Sequence, residues 1–407
     1  MGTGSDRMLQ NTNVPENSQR IGAGMPGVVR WGVIGGGDSA RRFAAGLRHV
    51  TGAKLTSVWT RKREVAEAFA AHFGGATTCT LEQMLSGPVD AVYIATHPDS
   101  HHAYALAALA AGKHVLCEKP SMLNGRQLEE VLVAASIRGL LFMEAMKPPF
   151  FPLYRRLREH LEQDPIGQVA FVRAGSSIAD IPLNHPIYNL DVGGGSLLGI
   201  GPYEAFLALD WLGPVERVQT FGQIGPTGID TFATLQTKHL NGMAQLYCGL
   251  GLHGEGDALL AGPLGNVAIP SKWWNPVHAT IRYVDGRTVE LDEPFESTGF
   301  NYEVSHFCDL LRSGRTESPI ITHDMSRQMM SILDHARVAI GLVYPQELQE
   351  SLGVKAPASY ISHDTRSTRS SPLRHSPSRR NLYILSHASH RAARQRCYSC
   401  WRWCCRP

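Results

Sequence analysis

The first third of the chain switches between two hydrophobic periods. Val28 to Ile34 is a short β-rich run that ends in Gly35-Gly36-Gly37, a strand meeting a turn. Apolar residues at helical spacing follow through Phe43 and Leu47. A second strand at Lys54 to Trp59 precedes a helix from Glu64 to Phe73, which Gly74-Gly75 can close. A helical segment near Leu81 to Leu85 stops at Gly87-Pro88 and leads into a strand at Ala91 to Ala95. A helix around His101 to Ala111 halts at Gly112, and His114 to Cys117 forms the next strand. Strands alternating with helices of about ten residues predict β-α-β units and a parallel sheet.

That alternation fades after about residue 145. Gly-rich turns then separate strand-like runs at Gln168 to Ala174, Gln219 to Phe221, Thr231 to Gln236, Ala244 to Cys248 and Thr280 to Tyr283. A final helix from about Ser326 to Ile340 places Met329, Ile332, Leu333, Ala336 and Ile340 on one face. The predicted fold class is α/β. A doubly wound parallel-sheet domain spans residues 28–147, and an α+β domain on an open, mainly antiparallel sheet spans 148–354. Residues 1–27 read as a flexible lead, and 355–407 as a disordered tail.

Composition narrows the function classes. With 43% hydrophobic residues in 407, the chain can bury a large core and is too apolar for general disorder. The longest apolar run, Ala103 to Ala111, is far short of the roughly 18 residues of a membrane span, so no membrane partner is expected. The net charge of +3 is unevenly spread: residues 355–407 hold ten arginines and one lysine against the single acid Asp364, leaving an acidic body. Such a body is not expected to bind nucleic acid. Cys79, Cys117, Cys248 and Cys308 are scattered, and no apolar stretch marks the first 27 residues, so a reducing, cytoplasmic setting is expected. Cys397, Cys400, Cys404 and Cys405 crowd the tail without the two separated ligand pairs of a zinc module. His97 and His101 lie four apart but lack the glutamate of a metalloprotease motif, so no metal site is expected.

Gly35-Gly36-Gly37-Asp38-Ser39-Ala40 fits G-x-G-x-x-A at a strand-to-helix junction. The first glycine permits the tight turn, Gly37 lets a pyrophosphate approach the backbone, and Ala40 lets helix pack on strand. The helix N-terminus offers free N–H groups and a positive dipole end to the phosphates. This predicts a Rossmann dinucleotide site. At the end of the second strand, an NAD site wants an acid for the ribose hydroxyls, whereas this chain has Thr60-Arg61-Lys62-Arg63. Arg61 suits a 2′-phosphate, so NADP is the expected cofactor, with NAD as the alternative.

Further along, Ala95-Thr96-His97-Pro98-Asp99-Ser100-His101-His102 is followed by Gly112-Lys113-His114-Val115-Leu116-Cys117-Glu118-Lys119-Pro120 and by Gly193-Gly194-Gly195…Ile200-Gly201-Pro202-Tyr203. This ordered set resembles the Gfo/Idh/MocA family over about residues 28 to 354. Phe142-Met143-Glu144-Ala145-Met146 and Glu317-Ser318-Pro319…Ile332-Leu333-Asp334 are similar to its dihydrodiol dehydrogenase branch. The resemblance implies an oxidoreductase moving a hydride between nicotinamide and a hydroxyl-bearing carbon of a sugar, polyol or cyclic trans-diol. The expected partners are therefore a small hydroxyl or carbonyl substrate and a second copy of the chain, as homodimer or higher homo-oligomer. Lys119 becomes the candidate acid/base group, since a lysine beside a cationic ring has its pKa pushed down toward proton exchange. Tyr203 is its candidate partner. Thr96, His97, His101, Glu118 and Lys119 are expected at the cofactor cleft.

Two positions depart from the family pattern. Gly199 stands where members commonly carry aspartate, and Lys147-Pro148-Pro149 replaces an aromatic and an arginine. The first motivates an alternative reading, a cofactor-binding but weakly active redox sensor or scaffold. The second points to a different substrate.

Overall fold

The computed structural model describes residues 27–351, so the expectations for the N-terminal lead and the basic, cysteine-rich tail lie outside the described residues. The N-terminal half alternates strand and helix: β1 Val29–Ile34, α1 Asp38–Leu47, β2 Ala53–Trp59, α2 Arg63–Phe73, β3 Ala76–Thr77, α3 Leu81–Ser86 and β4 Ala91–Ile94. It continues through α4 Pro98–Ala110, β5 His114–Glu118, α5 Gly125–Arg138 and β6 Phe142–Ala145. The six strands form one sheet in the order β3-β2-β1-β4-β5-β6, with every pairing parallel. Helices cover both faces, so every residue of β4 is buried, and the strand reads as an unbroken apolar run. The strand order reverses between β1 and β4. In open α/β sheets that crevice, at the carboxyl ends of the strands, is where ligands bind.

The second sheet is reached through α6 Pro152–Gln163, β7 Phe171–Ile178, α7 Ser196–Gly199 and α8 Gly201–Leu212. Its remaining strands are β8 Val215–Ile224, β9 Asp230–His239, β10 Gly242–Leu250, β11 Ala258–Gly262, β12 Gly265–Ile269, β13 His278–Tyr283 and β14 Thr288–Asp292. The order is β14-β13-β12-β11-β7-β10-β9-β8. Only β7 and β10 run parallel, which agrees with the expected open, mainly antiparallel sheet. Three helices close the described chain: α9 Phe300–Arg312, α10 His323–Ile340 and α11 Pro345–Ser351.

The sequence pattern missed α5, α6, α7, α8, α9 and α11, and the short strands β3, β6, β11, β12 and β14. α8 is buried nearly all round, so no polar stripe marks its period. β11 and β12 are five residues each, too short to separate from turns. α9 returns to the first half, while α10 packs against β8 and α8 and reaches α5. α9 packs against α1, and Phe307 meets Trp31 at 5.1 Å between ring centroids. Phe43 stacks on Tyr93 in the same cluster at 3.9 Å. Arg312 Nη2 donates to the carbonyls of Thr51 and Gly52 at 3.0 and 2.9 Å. Arg337, on α10, donates to the Leu123 carbonyl at 3.1 Å and to Glu347 at 2.8 Å. One continuous core joins the two sheets, running from Trp31 and Phe43 to Phe206 and Leu246.

Candidate active site

Three chain segments meet at the carboxyl ends of β1, β2 and β4. Gly35 has φ +119°, and a Cβ there would lie 2.3 Å from the Ala95 carbonyl oxygen, so the turn is closed to any other residue. A Cβ on Gly37 would meet nothing within 4 Å, which leaves room for a phosphate against the backbone. α1 begins at Asp38 without a side-chain cap, so its first N–H groups remain available to an anion. Ala40 is buried and lets α1 sit on the sheet. Ser39 lies half-buried in that turn, and exposed Asp38 is neutralised by Arg42 at 2.8 Å. A Cβ on Gly36 would strike Val65 at 2.6 Å and touch Thr60, so the turn is packed against the start of α2. These features fit a dinucleotide.

At the end of β2, the Thr60 hydroxyl donates to the Lys62 carbonyl at 2.6 Å. Arg61 is exposed, and among the described residues no ion pair engages it. His97 is half-buried; burial lowers its pKa, the Asp99 charge opposes this, and Arg61 and His185 lower it further. Thr96 accepts a hydrogen bond from Ser100 at 2.8 Å. His101 is 1% exposed and presents no ring to the cleft. Its two nitrogens face the carbonyls of Pro120 and Thr96 at 3.0 and 3.1 Å, so it braces the turn after β4 against the turn after β5.

β5 delivers Glu118 and Lys119, followed by a cis Lys119–Pro120 peptide. Lys119 Nζ donates to the Gly199 carbonyl at 2.6 Å and lies 4.5 Å from the centroid of the Tyr203 ring. The fold thus joins the two candidate acid/base residues across 84 positions of sequence. Burial lowers the Lys119 pKa, while Glu118, Glu204 and Glu144 raise it. Burial and then the Glu118 charge push the Tyr203 hydroxyl well up, so it keeps its proton near neutrality. Glu118 accepts from the Tyr93 hydroxyl and from the Lys119 backbone N–H at 3.2 Å. Trp273 and Trp274 stand 6.5 Å from the Tyr203 ring and form an aromatic wall.

Residues 29–146 match the family described as an oxidoreductase family with an NAD-binding Rossmann fold. The chain is 31% identical over 336 residues to the trans-1,2-dihydrobenzene-1,2-diol dehydrogenase of Mus musculus, covering 78% of this chain and 99% of the relative. The chain belongs to the Gfo/Idh/MocA oxidoreductase family. A second relative, the scyllo-inositol 2-dehydrogenase (NADP(+)) IolU of Bacillus subtilis, is 30% identical over 79% of this chain and 99% of its own length. Among solved structures, the 3-ketoreductase KijD10 of Actinomadura kijaniata, in complex with NADP and TDP-benzene, superposes with a TM-score of 0.70 at 27% identity. It covers 77% of this chain and 98% of its own.

The departures of this Gfo/Idh/MocA member now have a structural setting. An added Cβ at Gly199 would meet the flexible end of Ile187 at 2.9 Å, so a side chain there needs only a rotation of Ile187. Lys147 is 7% exposed, donates to Asn275 Oδ1 at 3.1 Å and lies 4.8 Å from the centroid of the Phe300 ring. Burial lowers the Lys147 pKa while Glu303 opposes this; Glu303 is 0% exposed with neither carboxyl oxygen hydrogen-bonded among the described residues. Burial pushes Glu303 well up, then the Glu118 charge does, while Lys147 opposes. Glu303 escaped the sequence reading because it sits in α9, more than 150 residues from Lys147, with no local pattern to mark it.

Asp230 was also missed. It is buried and accepts from the Ser196 hydroxyl at 2.6 Å and the Leu197 N–H at 2.7 Å, which anchors the start of α7 beneath Lys119's carbonyl partner. Burial raises its pKa to about 6. The folded chain therefore binds this proton more tightly than the unfolded chain, whose carboxyl titrates near 3.8. Stability from this group is greatest at low pH and falls as pH rises from about 4 to about 6. Thermal unfolding of Asp230→Asn across that window should show a fall shallower by about 1–3 kcal/mol. An unchanged slope would show that Asp230 titrates normally in the fold.

Proposed function

We propose that the chain is an NADP-dependent oxidoreductase acting on a hydroxyl-bearing carbon of a sugar, polyol or cyclic trans-diol, or on the matching carbonyl. The single observation behind this reading is the convergence of Lys119 Nζ, the Tyr203 ring and the Gly199 carbonyl beside the strand-order reversal. The printed activities of the relatives support the substrate class. A bound nicotinamide supplies or accepts the hydride.

This chain's residues handle the proton and the fit. Lys119 takes the proton from the substrate hydroxyl during oxidation, or gives it to the carbonyl oxygen during reduction. Tyr203, holding its proton, donates a hydrogen bond to the same oxygen. Gly35, Gly37, Ala40 and the α1 N-terminus, with Gly36, Asp38 and Ser39 in the same turn, receive the pyrophosphate. Thr60 and Arg61 meet the 2′-phosphate, and Thr96 and His97 border the ring. Within this reading, residues 28–147 are the nucleotide-binding domain and 148–354 the substrate domain. The exposed side of the second sheet, which carries Phe221 and Met243, pairs with a second copy, and the protein works in the cytoplasm.

The test is a titration of NADPH and NADH against wild type and Arg61→Ala, followed by a screen of polyols, sugars and dihydrodiols. The variant should lose about ten- to a hundredfold in NADPH affinity, as expected for one charge-assisted contact, with NADH unchanged. Equal losses for both cofactors would reject the assignment of Arg61. Tight cofactor binding with no turnover across the panel would favour the sensor or scaffold reading.

A further inference from the structure

The contact that holds the Lys119 ammonium joins two chain segments, one leaving β5 and one running through α7 to Gly199. Both segments are tied to the end of the described chain. On the β5 side, Arg337 Nη2 donates to the Leu123 carbonyl at 3.1 Å, and the Gly125 N–H donates to Asp334 Oδ2 at 2.8 Å. Asn124 Nδ2 donates to Glu347 Oε1 at 3.1 Å. On the α7 side, the Tyr344 hydroxyl donates to the Gly194 carbonyl at 2.6 Å, and Gln346 Nε2 donates to the Asp191 carbonyl at 2.5 Å. We propose that Glu347 is a positioning residue for Lys119: with Arg337 and Tyr344 it clamps both segments and so fixes the contact between Lys119 and Gly199. This rests on the proposed function, in which Lys119 exchanges the proton.

Glu347 is the centre of the clamp. Its Oε2 accepts from Arg337 Nη1 at 2.8 Å and from the Tyr344 N–H at 3.0 Å. Its Oε1 accepts from Arg337 Nη2 at 3.0 Å as well as from Asn124. A two-pronged guanidinium–carboxylate pair fixes direction as well as distance. Arg337 is 4% exposed, and its guanidinium lies 5.1 Å from the centroid of the Tyr344 ring. Asp334 is its second acid, at 2.5 Å. Removing one partner of such a buried set leaves a charge without its match, so the geometry gives way rather than merely weakening. From Gly194 the path to Lys119 is short. The Gly195 carbonyl accepts from the Gly199 N–H at 3.0 Å, and the Gly199 carbonyl accepts from Lys119 Nζ at 2.6 Å. The two segments also touch directly: Gly193 has φ +76°, and a Cβ there would lie 2.6 Å from Leu123 Cδ2. A shift of Gly194 therefore moves the acceptor of Lys119, whereas none of these bonds reaches the phosphate-binding turn.

Tyr344→Phe deletes one hydroxyl and keeps the ring beside Arg337. With NADPH and the best carbonyl substrate of the screen, kcat should fall about tenfold or more, the effect of a slightly misplaced acid/base group. NADPH affinity should stay unchanged. Glu347→Gln should lose more, and Glu347→Asp should recover part of the loss. Arg327→Ala is the structural control. It breaks the 2.8 Å ion pair with Glu129 between α10 and α5, so it should lower Tm and leave kcat alone. The rate at which acetic anhydride labels Lys119 at fixed pH, read by mass spectrometry on the full chain, follows the same contact without turnover. It should rise several-fold in Tyr344→Phe and Glu347→Gln but not in Arg327→Ala. Should Glu347→Gln fail to fold, the milder Tyr344→Phe carries the test. Unmoved labelling in the folded variants overturns the proposal whether or not kcat changes, and so does an equal rise in Arg327→Ala, which would be general loosening. Selective labelling in a protein whose wild type turns over no substrate keeps the clamp and rejects the oxidoreductase reading instead.

Discussion

Lys119→Met will lower kcat by about 10²–10⁴-fold, the usual worth of a positioned acid/base group, while NADPH affinity changes little. The physical reason is local. Lys119 Nζ is the donor on the Gly199 carbonyl and lies over the Tyr203 ring, where burial weakens its hold on the proton. Tyr203 alone keeps its proton too tightly to serve as a base. Lys119→Arg should fail nearly as badly, because a guanidinium does not give up its proton in a protein. Steady-state kinetics beside a cofactor fluorescence titration separates chemistry from binding. A methionine variant that retained most of its turnover would place the proton transfer elsewhere.

Gly35→Ala will cost stability and cofactor binding together. The φ of +119° is strained for alanine, and the added methyl would lie 2.3 Å from the Ala95 carbonyl oxygen, a backbone atom that cannot swing aside. Strain of that kind costs about 1–3 kcal/mol. Pushing the turn away from β4 adds a comparable amount, as overpacking does. A loss of about 3 kcal/mol in binding is a hundredfold in affinity. Gly37→Ala is the control, because its methyl meets nothing within 4 Å in the free chain. It should fold with a wild-type Tm and lose only cofactor affinity. If Gly35→Ala melted and bound NADPH like wild type, the turn would be more adaptable than its geometry indicates.

Much of the site was legible because it is local. A phosphate-binding turn is a run of six residues that its spacing exposes, whereas Glu118-Lys119-Pro120 is marked only by the resemblance to the family. Lys147, Glu204, Asp230 and Glu303 were not legible as a buried charged set. Each is an ordinary polar residue in its own segment, and its meaning comes from burial and from partners brought in by other elements. His101 shows the same limit differently: its motif placed it near the cleft, but its two carbonyl partners make it a brace.

Hydrophobic period and glycine placement by themselves determined a parallel β-α-β half, a mainly antiparallel half and a nucleotide turn at the first junction, because those features depend on residues within about one element's length. Only the tertiary structure decided that α9 packs on α1 and that α10 bridges α5 and β8, that Lys119 finds a main-chain carbonyl in place of an aspartate, and that Glu204 lies buried against the Ser176 hydroxyl. Those outcomes depend on desolvation and on contacts between distant segments, and neither is written in the order of neighbouring residues.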